Sequence, residues 1–413
     1  MKLPRQCAAL IGGLGTRLGS LTANTPKPLL DCAGRPFLFW VLRELSRFGI
    51  EEVVLLAGYK SERVEEFCRE AQALLPKPLT LKLSVEPEPA GTGGAIWHAR
   101  ELLDESFLLI NGDSWIDTNL ARFFAAAAEV PDAVGYMLLR AMEDCSRYGV
   151  VEVSGSRVLS FREKPGIKQP GLINGGIFIL DRAVLDYISP NCSLEKDVLP
   201  VLAAKHLLHA KAMEGYFIDI GIPADYERAQ KELPKRLHRP AIFFDRDGVL
   251  NEDSGWVGSP DRFIWIDGAM EAVRQVNDLG YHAFVVTNQA GVAKGFYEEH
   301  DVAHLHRWMT GGLRAFGATI DDIRYCPYHP EAVVDRYRQH SEWRKPGPGM
   351  IVDLLHKWDA IAERSVLIGD RQSDMEAARA AGIRGTLFRG GNLGDFVRDI
   401  REPHTSGVDG QQK

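Results

Sequence analysis

The chain has 413 residues, of which 45% are hydrophobic and 25% charged, and its formal net charge is −7. This composition is that of a globular protein with buried cores, excludes a disordered chain and, at this length, suggests two or three domains. A mildly acidic chain without a long Lys/Arg run argues against sequence-independent nucleic-acid binding, and no stretch approaches the roughly 18 apolar residues of a membrane span.

The six cysteines are scattered singly with no C-x-x-C pattern, which is typical of a reducing compartment. The apolar run near the N-terminus is too short for the hydrophobic region of a secretory signal. We therefore expect a cytoplasmic protein that has no nucleic-acid and no membrane partner.

Short apolar runs alternate with longer helix-like segments along the chain, which is the βαβ pattern of α/β domains. In the first half, the predicted strands are residues 8–11, 52–56, 79–85, 107–110, 134–140, 150–153, 177–180 and 216–218. A helix over residues 225–233 follows them. In the second half, the predicted strands are residues 241–244, 283–286 and 366–368.

A basic segment over residues 234–240 begins and ends with proline. Because neither proline fits the interior of a helix, we predict a linker here. The predicted organisation is therefore two doubly wound α/β domains with Rossmann-like sheets, over residues 1–233 and 241–400. A flexible tail over residues 401–413 completes the chain.

The first predicted strand ends in a glycine loop. Gly12, Gly13 and Gly15 follow it, and the cations Arg17 and Lys27 come next. Glycines let backbone N–H groups approach an anion, a following helix start adds positive charge, and the two cations add more. The loop thus predicts a polyphosphate cradle, with a tight turn and two solvated cations as the alternative. Neither the dinucleotide fingerprint nor the P-loop pattern is present.

Two aspartates stand at the ends of distant predicted strands. Asp113 follows the strand 107–110, and Asp219 follows the strand 216–218. Two such carboxylates can hold one Mg²⁺ together with substrate phosphate oxygens. Either aspartate alone could equally be a turn or helix cap.

Six segments, in this order, resemble the sugar-1-phosphate nucleotidyltransferases: residues 12–30, 91–95, 111–113, 161–165, 173–176 and 217–221. The resemblance implies triphosphate binding at Gly12, Gly13, Arg17 and Lys27, nucleoside contacts at Gly91 and Thr92, sugar-phosphate contacts at Glu163, Lys164 and Asn174, and Mg²⁺ at Asp113 and Asp219. A sugar phosphate is already an anionic nucleophile, so such a protein needs only to align it with the α-phosphorus and neutralise the leaving pyrophosphate.

In the second half, carboxylates follow predicted strands again. Asp245 and Asp247 follow strand 241–244, Thr287 ends the next strand, Lys345 lies in a loop, and Asp370 follows the last strand. A cap and turn is the alternative for the first pair. The whole set resembles the haloacid dehalogenase-type phosphatases.

That resemblance implies a covalent mechanism. Asp245 would attack phosphorus, and Asp247 would protonate the leaving oxygen and then activate water. Thr287 and Lys345 would stabilise the transferring phosphoryl group. Mg²⁺ would be held by Asp245, by the backbone carbonyl of Asp247 and by Asp370.

Segments at residues 251–256, 287–290, 326–330 and 344–350 resemble more closely the D-glycero-D-manno-heptose 1,7-bisphosphate phosphatases, whose relatives include histidinol-phosphate phosphatases. The resemblance implies substrate contacts at Asp253, Ser254, Gly255, Trp256, Thr287, Asn288, Gln289, Ala290, Arg344 and Arg371.

The chain departs from those phosphatases in their zinc loop. The residues at three of the four ligand positions are Tyr328, Ser341 and Trp343. Cys326 and a neighbouring His329 are too few for a structural zinc, which takes four ligands, so we expect none. We expect packing of Trp343 and Tyr337 to hold the loop 332–343 instead.

Residues 217–223 and the helix after them resemble the heptose-1-phosphate guanylyltransferases, with mannose-1-phosphate guanylyltransferases as near neighbours. Together the resemblances imply a bifunctional enzyme with Mg²⁺ in both domains. It would remove the 7-phosphate of heptose 1,7-bisphosphate and transfer a nucleotidyl group, with GTP favoured as donor, to heptose 1-phosphate. Two alternatives stay open: a mannose-1-phosphate guanylyltransferase fused to a histidinol-phosphate-like phosphatase, and a non-catalytic regulatory N-terminal domain.

Overall fold

The computed structural model describes residues 1–13, 15–146, 148–162, 166 and 168–401. It divides into two units at residue 240. The first contains Met1–Arg239 and also Arg314–Thr319; the second contains Pro240–Leu313 and continues from Ile320. Each unit combines helices with a sheet of its own, which confirms the predicted α/β class. Among the helices of the described residues, none has the length and apolar character needed to cross a membrane.

The first unit contains thirteen strands and six α-helices. In chain order these are β1 Gln6–Leu10, β2 Asp31–Cys32, β3 Arg35–Pro36, α1 Phe37–Arg47, β4 Glu52–Ala57, α2 Ser61–Leu74, β5 Thr80–Val85, α3 Gly91–His98, β6 Ser106–Asn111, β7 Ser114–Asp117, α4 Leu120–Ala128, β8 Gly135–Met142, β9 Val150–Ser154, β10 Arg157–Arg162, β11 Gly171–Asp181, α5 Leu199–Ala204, β12 Leu208–Ala212, β13 Tyr216–Asp219 and α6 Pro223–Leu237. All eight predicted strands of this half are present, whereas β2, β3, β7, β10 and β12 were not predicted.

Nine of these strands form one mixed sheet, in the order β5-β4-β1-β6-β11-β8-β12-β10-β9. Strands β5, β4, β1 and β6 run parallel. Successive residues of β4 point to opposite faces, so Val53 joins one apolar core and Val54 the other. Both faces are therefore covered, which explains the unbroken apolar runs of the central strands.

The register of the parallel strands brings the predicted site residues together. Leu10 at the end of β1 lies opposite Asn111 at the end of β6, so the glycine loop and Asp113 leave the sheet at the same edge. A separate ribbon pairs β7 with β13, and Asp219 lies opposite Ser114 there. The two distant aspartates are neighbours for this reason.

The predicted linker is wrong at its start. Helix α6 runs through Pro234 to Leu237. Ala229, Leu233 and Leu237, four residues apart, are buried in the core of the first unit. Burial of this stripe outweighs the hydrogen bond that a proline removes, which costs about 3 kcal/mol in a helix interior.

The second unit has five strands and six α-helices. These are β14 Ala241–Phe244, α7 Ala269–Asp278, β15 His282–Asn288, α8 Ala290–Lys294, α9 Glu299–Phe316, β16 Asp322–Cys326, α10 Gly349–Trp358, β17 Val366–Gly369, α11 Gln372–Ala380, β18 Arg384–Leu387 and α12 Leu393–Arg401. The three predicted strands are present, and β16 and β18 were not predicted.

All five strands run parallel, in the order β16-β15-β14-β17-β18. The chain winds outward to one side of β14 and then to the other, which makes the carboxyl end of β14 the switch point of the sheet. Asp245 follows β14 at that point. Phe244 lies opposite both Val285 and Ile368, so residues after β15 and β17 flank the aspartate.

Candidate active sites

A cavity of about 600 Å³ opens at the carboxyl edge of the first sheet. Six residues with a predicted role line it: Gly12, Gly13, Lys27, Gly91, Thr92 and Asp113. A Cβ on Gly91 would lie 2.5 Å from the Cys192 carbonyl oxygen, and its φ is 78°, so only glycine fits. The glycine loop is followed by a 3₁₀ turn, Thr16–Thr22, and the helix start expected there is wrong. Gly19, which has a φ of 59°, interrupts any α-helical run inside this segment.

Asp113 and Asp219 form a carboxylate pair beside this cavity. Lys27 Nζ donates to Asp113 Oδ2, and the Gly221 N–H donates to Asp219 Oδ1 at 2.8 Å. Burial raises the pKa of Asp219 to about 6, the charge of Asp113 adds to the shift, and Lys27 opposes it. The two neighbouring carboxylates carry more negative charge than the single lysine can balance. A pair of carboxylate ligands of this kind fits Mg²⁺.

Two other predicted residues, Arg17 and Asn174, are described but do not line the cavity. Arg17 is exposed and lies outside its lining. Asn174 Oδ1 accepts the Gly176 N–H at 2.9 Å and so stabilises its own turn. Glu163 and Lys164 lie outside the described residues. The roles of all four stay predictions.

Three carboxylates that line the cavity were missed in the sequence, those of Glu86, Glu88 and Glu195. Glu86 directly follows β5; one of its oxygens accepts the Ala90 N–H at 3.2 Å. A Cβ on Gly58 would lie 2.7 Å from the other oxygen, so the glycine leaves room for this side chain. Glu195 accepts a 2.6 Å hydrogen bond from Thr92 Oγ1. No feature of the sequence points to Glu195. Glu86 could have been found, because it directly follows a predicted strand, as other site residues do.

The second unit holds a buried charge cluster at the switch point. Lys345 Nζ lies 2.8 Å from Asp245 Oδ2 and 2.6 Å from Asp374 Oδ1, and it donates to the Val286 carbonyl at 3.0 Å. Burial raises the pKa of Asp245 to about 7; the charge of Lys345 opposes this shift, and the negative charge of Asp374 adds to it. Burial opposes the charge of Lys345 as well, but the two carboxylates outweigh it and raise the lysine's pKa.

The same cluster offers a metal site. Asp245, Asp370 and Asp374 each present an oxygen within 4.8 Å of the others. Asp370 Oδ1 is buried and has no hydrogen-bond partner among the residues described. A Cβ on Gly248 would lie 2.4 Å from Asp370 Oδ2, so glycine is required beside it. A buried carboxylate oxygen without a hydrogen-bond partner needs a cation beside it, and a cluster of such carboxylates fits Mg²⁺. Asp374 was not among the predicted ligands.

Asp247 is held by a network of donors. The fully buried Arg246 donates from Nη2 to both Asp247 oxygens at 3.0 Å. Asn251 Nδ2 at 3.0 Å and Gln289 Nε2 at 2.9 Å complete the set. Gln289 also donates to Thr287 Oγ1 at 2.9 Å. Gln289 is thus buried between two predicted catalytic groups. It was expected to contact substrate, but it lies outside the cavity lining.

A second cavity of about 600 Å³ covers this cluster. The predicted residues that line it are Asp245, Asp247, Asp253, Gly255, Trp256, Thr287, Asn288, Ala290, Arg344, Lys345 and Arg371. Arg371 Nη2 lies 2.5 Å from Asp253 Oδ2. Ser254 is not in the described lining; its carbonyl accepts Arg262 Nη2 at 3.1 Å.

The loop that lacks zinc ligands is anchored by tyrosines. Tyr337 is 6% exposed, and its hydroxyl donates to Glu299 Oε1 at 2.8 Å. Tyr325 donates to the other Glu299 oxygen at 2.8 Å. The expectation for Tyr337 is confirmed, but that for Trp343 is wrong, since Trp343 is 38% exposed.

Comparison with known proteins separates the same two parts. A nucleotidyl transferase model matches residues 9–236, and a HAD-hydrolase-like model matches residues 342–404. The D-glycero-beta-D-manno-heptose-1,7-bisphosphate 7-phosphatase of Rhodopseudomonas palustris is 51% identical over 162 residues, which are 39% of this chain and 90% of that protein.

Two further similarities concern the first part. The D-glycero-alpha-D-manno-heptose 1-phosphate guanylyltransferase of Aneurinibacillus thermoaerophilus is 37% identical over 227 residues, which are 54% of this chain and 96% of that protein. The solved structure of HddC from Yersinia pseudotuberculosis, complexed with GMP-PN, is 32% identical. It covers 55% of this chain and 99% of its own, with a TM-score of 0.49. The chain therefore belongs to the nucleotidyl transferase family in its first part and to the haloacid dehalogenase-type hydrolases in its second, as the motifs predicted.

Proposed function

We propose that this chain is a bifunctional enzyme that converts heptose 1,7-bisphosphate into a nucleotide-activated heptose. The second unit removes the 7-phosphate, and the first unit couples the resulting heptose 1-phosphate to a nucleotide. The observation that carries this proposal is the presence of two carboxylate clusters, each beside its own cavity, in one chain. The names of the relatives of both parts support the choice of sugar.

The phosphatase reaction proceeds in two displacements. An Asp245 oxygen attacks phosphorus, the bond from phosphorus to the sugar oxygen breaks, and Asp247 gives that oxygen a proton. Asp247 then takes a proton from water, the hydroxide attacks the aspartyl-phosphate, and inorganic phosphate leaves Asp245 unchanged. Lys345 and Thr287 bind the phosphoryl oxygens. Asp245, Asp370, Asp374 and the Asp247 carbonyl would hold Mg²⁺, which would supply positive charge beside the transferring phosphoryl group.

The transferase reaction is a single displacement. A phosphate oxygen of heptose 1-phosphate attacks the α-phosphorus of the triphosphate, and the bond to pyrophosphate breaks. No proton has to move. Lys27 and the backbone of Gly12 and Gly13 bind the triphosphate, and Asp113 and Asp219 would hold Mg²⁺, which would neutralise charge on the leaving pyrophosphate.

Glu86 supports the proposal that GTP is the nucleotide donor. Guanine presents two neighbouring donors, N1–H and N2–H, and a carboxylate can accept both, whereas the other common bases offer no such pair. Glu86 lines the cavity near Gly91, close to the predicted nucleoside contacts. It accepts one backbone N–H there, which fixes its position.

The Glu86→Gln variant tests this assignment. We expect kcat/KM for GTP to fall about tenfold to a hundredfold, since the amide places a donor against a donor, while the low activity with other triphosphates stays within about threefold. Pyrophosphate release with each triphosphate measures this. Glu88→Gln, at another carboxylate of the same cavity, is the matched control. An undiminished preference of Glu86→Gln for GTP would contradict the role.

A coupled assay tests the function as a whole. The protein is given Mg²⁺, heptose 1,7-bisphosphate and each nucleoside triphosphate in turn, and the products are identified by mass. We expect phosphate, pyrophosphate and GDP-heptose. Activity with mannose 1-phosphate but not heptose 1-phosphate would favour the mannose alternative. Phosphate release without pyrophosphate from any triphosphate would favour a regulatory first unit.

A further inference from the structure

A histidine just before the loop 332–343 lines the phosphatase cavity. His329 lines this cavity together with Arg344, and no step of the proposed hydrolysis uses it. Its backbone is fixed on both sides: its N–H donates to the Tyr337 carbonyl at 3.1 Å, and its carbonyl accepts the Ala332 N–H at 3.1 Å. The tyrosine anchor of the loop thus holds His329 in place.

The ring of His329 presents a donor to the cavity. Nδ1 accepts the Glu331 N–H at 3.0 Å, so in the neutral ring the proton sits on Nε2. Burial, Arg344 and Lys294 lower the pKa of His329, which favours that neutral ring. Nε2 has no partner among the residues described, so its N–H remains available to a ligand.

A sugar bisphosphate brings two anionic groups, and only one can lie on Asp245. Several donors line the cavity, among them Trp256 and Ser373. Arg371 is already paired with Asp253 at 2.5 Å, and Arg344 donates one N–H to the Tyr328 carbonyl at 3.4 Å. Arg344 and His329 line the same cavity, so the other N–H groups of Arg344 and the Nε2–H of His329 can bind the second phosphate together.

We propose that His329 is a specificity residue of the phosphatase and that its Nε2–H binds the phosphate of the sugar bisphosphate that is not hydrolysed. This inference rests on the proposed phosphatase activity. His329 takes no part in the displacement itself. It selects bisphosphates over monophosphates through binding.

Two variants of His329 distinguish the role of its Nε2–H donor from the role of its Nδ1 atom, which accepts the Glu331 N–H. In His329→Asn, the amide oxygen stands near the position of Nδ1 and can still accept the Glu331 N–H, but no donor reaches the position of Nε2. In His329→Gln, the amide nitrogen stands near the position of Nε2 and keeps the donor. His340→Asn, at an exposed histidine of the loop 332–343, is the control.

The full chain with Mg²⁺ is assayed on heptose 1,7-bisphosphate and on heptose 7-phosphate, which has the same reacting phosphate but lacks the second one. For His329→Asn we expect KM for the bisphosphate to rise about tenfold, with kcat within twofold and no change on the monophosphate. His329→Gln should restore most of the difference, and His340→Asn should behave as wild type.

Equal losses on both substrates, or no loss on either, would overturn the role of His329 while leaving the phosphatase proposal intact. A wild-type protein that leaves the bisphosphate untouched would instead overturn the proposed function, and the role of His329 with it. The two failures are therefore distinguishable in one set of assays.

Discussion

The Asp245→Asn variant is expected to lose hydrolysis of heptose 1,7-bisphosphate, with kcat at least about 10⁴-fold lower, and to keep nucleotidyl transfer. An amide cannot form the aspartyl-phosphate. The substitution keeps the size of the side chain, and Lys345 retains its contact with Asp374 at 2.6 Å, so its buried charge stays compensated. Two activities are measured on one preparation: phosphate release from the bisphosphate, and pyrophosphate release from GTP with heptose 1-phosphate as the acceptor.

Asp353→Asn provides the matched control for Asp245→Asn. Asp353 lies in the same unit on α10 and pairs with Arg324 at 2.6 Å, away from the cavity. This variant should hydrolyse the bisphosphate as wild type does. If Asp245→Asn retained wild-type turnover, the covalent mechanism would be excluded.

The Asp113→Asn variant is expected to have the opposite phenotype. Nucleotidyl transfer should fall about 10²- to 10³-fold, because the carboxylate pair loses one ligand for Mg²⁺ and Lys27 loses its partner. Hydrolysis should be unchanged. Supplied with bisphosphate and GTP, this variant should accumulate heptose 1-phosphate, which mass spectrometry detects directly.

Asp132→Asn, at an exposed aspartate of the first unit, controls for the loss of a charge. Pyrophosphate release by Asp113→Asn within about threefold of wild type would show that Asp113 does not serve the transfer. Equal losses of both activities would instead indicate a change in folding.

Much of the site could be predicted because its residues directly follow buried strands. Asp113, Asp245 and Asp370 follow parallel strands, which bring their ends to one edge of a sheet. Asp219 ends a strand of the separate antiparallel ribbon, which brings it beside Ser114 and Asp113. Asp374 was missed because it lies in the first turn of α11, where its proximity depends on how the helix packs. Its carboxylate is brought back beside the sheet by accepting the Arg371 N–H at 3.0 Å.

The local rules failed where tertiary packing decides. Pro234 lies within a helix because the stripe around Leu233 is buried. Gln289 was expected to contact substrate, but the structure buries it between Asp247 and Thr287. Strands such as Leu208–Ala212 were missed because charged or polar residues interrupt their short apolar patterns.

Each sheet takes all its strands from one unit, so neither cavity needs a strand from the other part of the chain. The relatives carry the two parts as separate proteins. Ribosomes that translate this fused chain make one copy of each part every time. Cells cannot adjust the stoichiometry of the two by transcription, so any balance of flux between them has to be set by their turnover numbers.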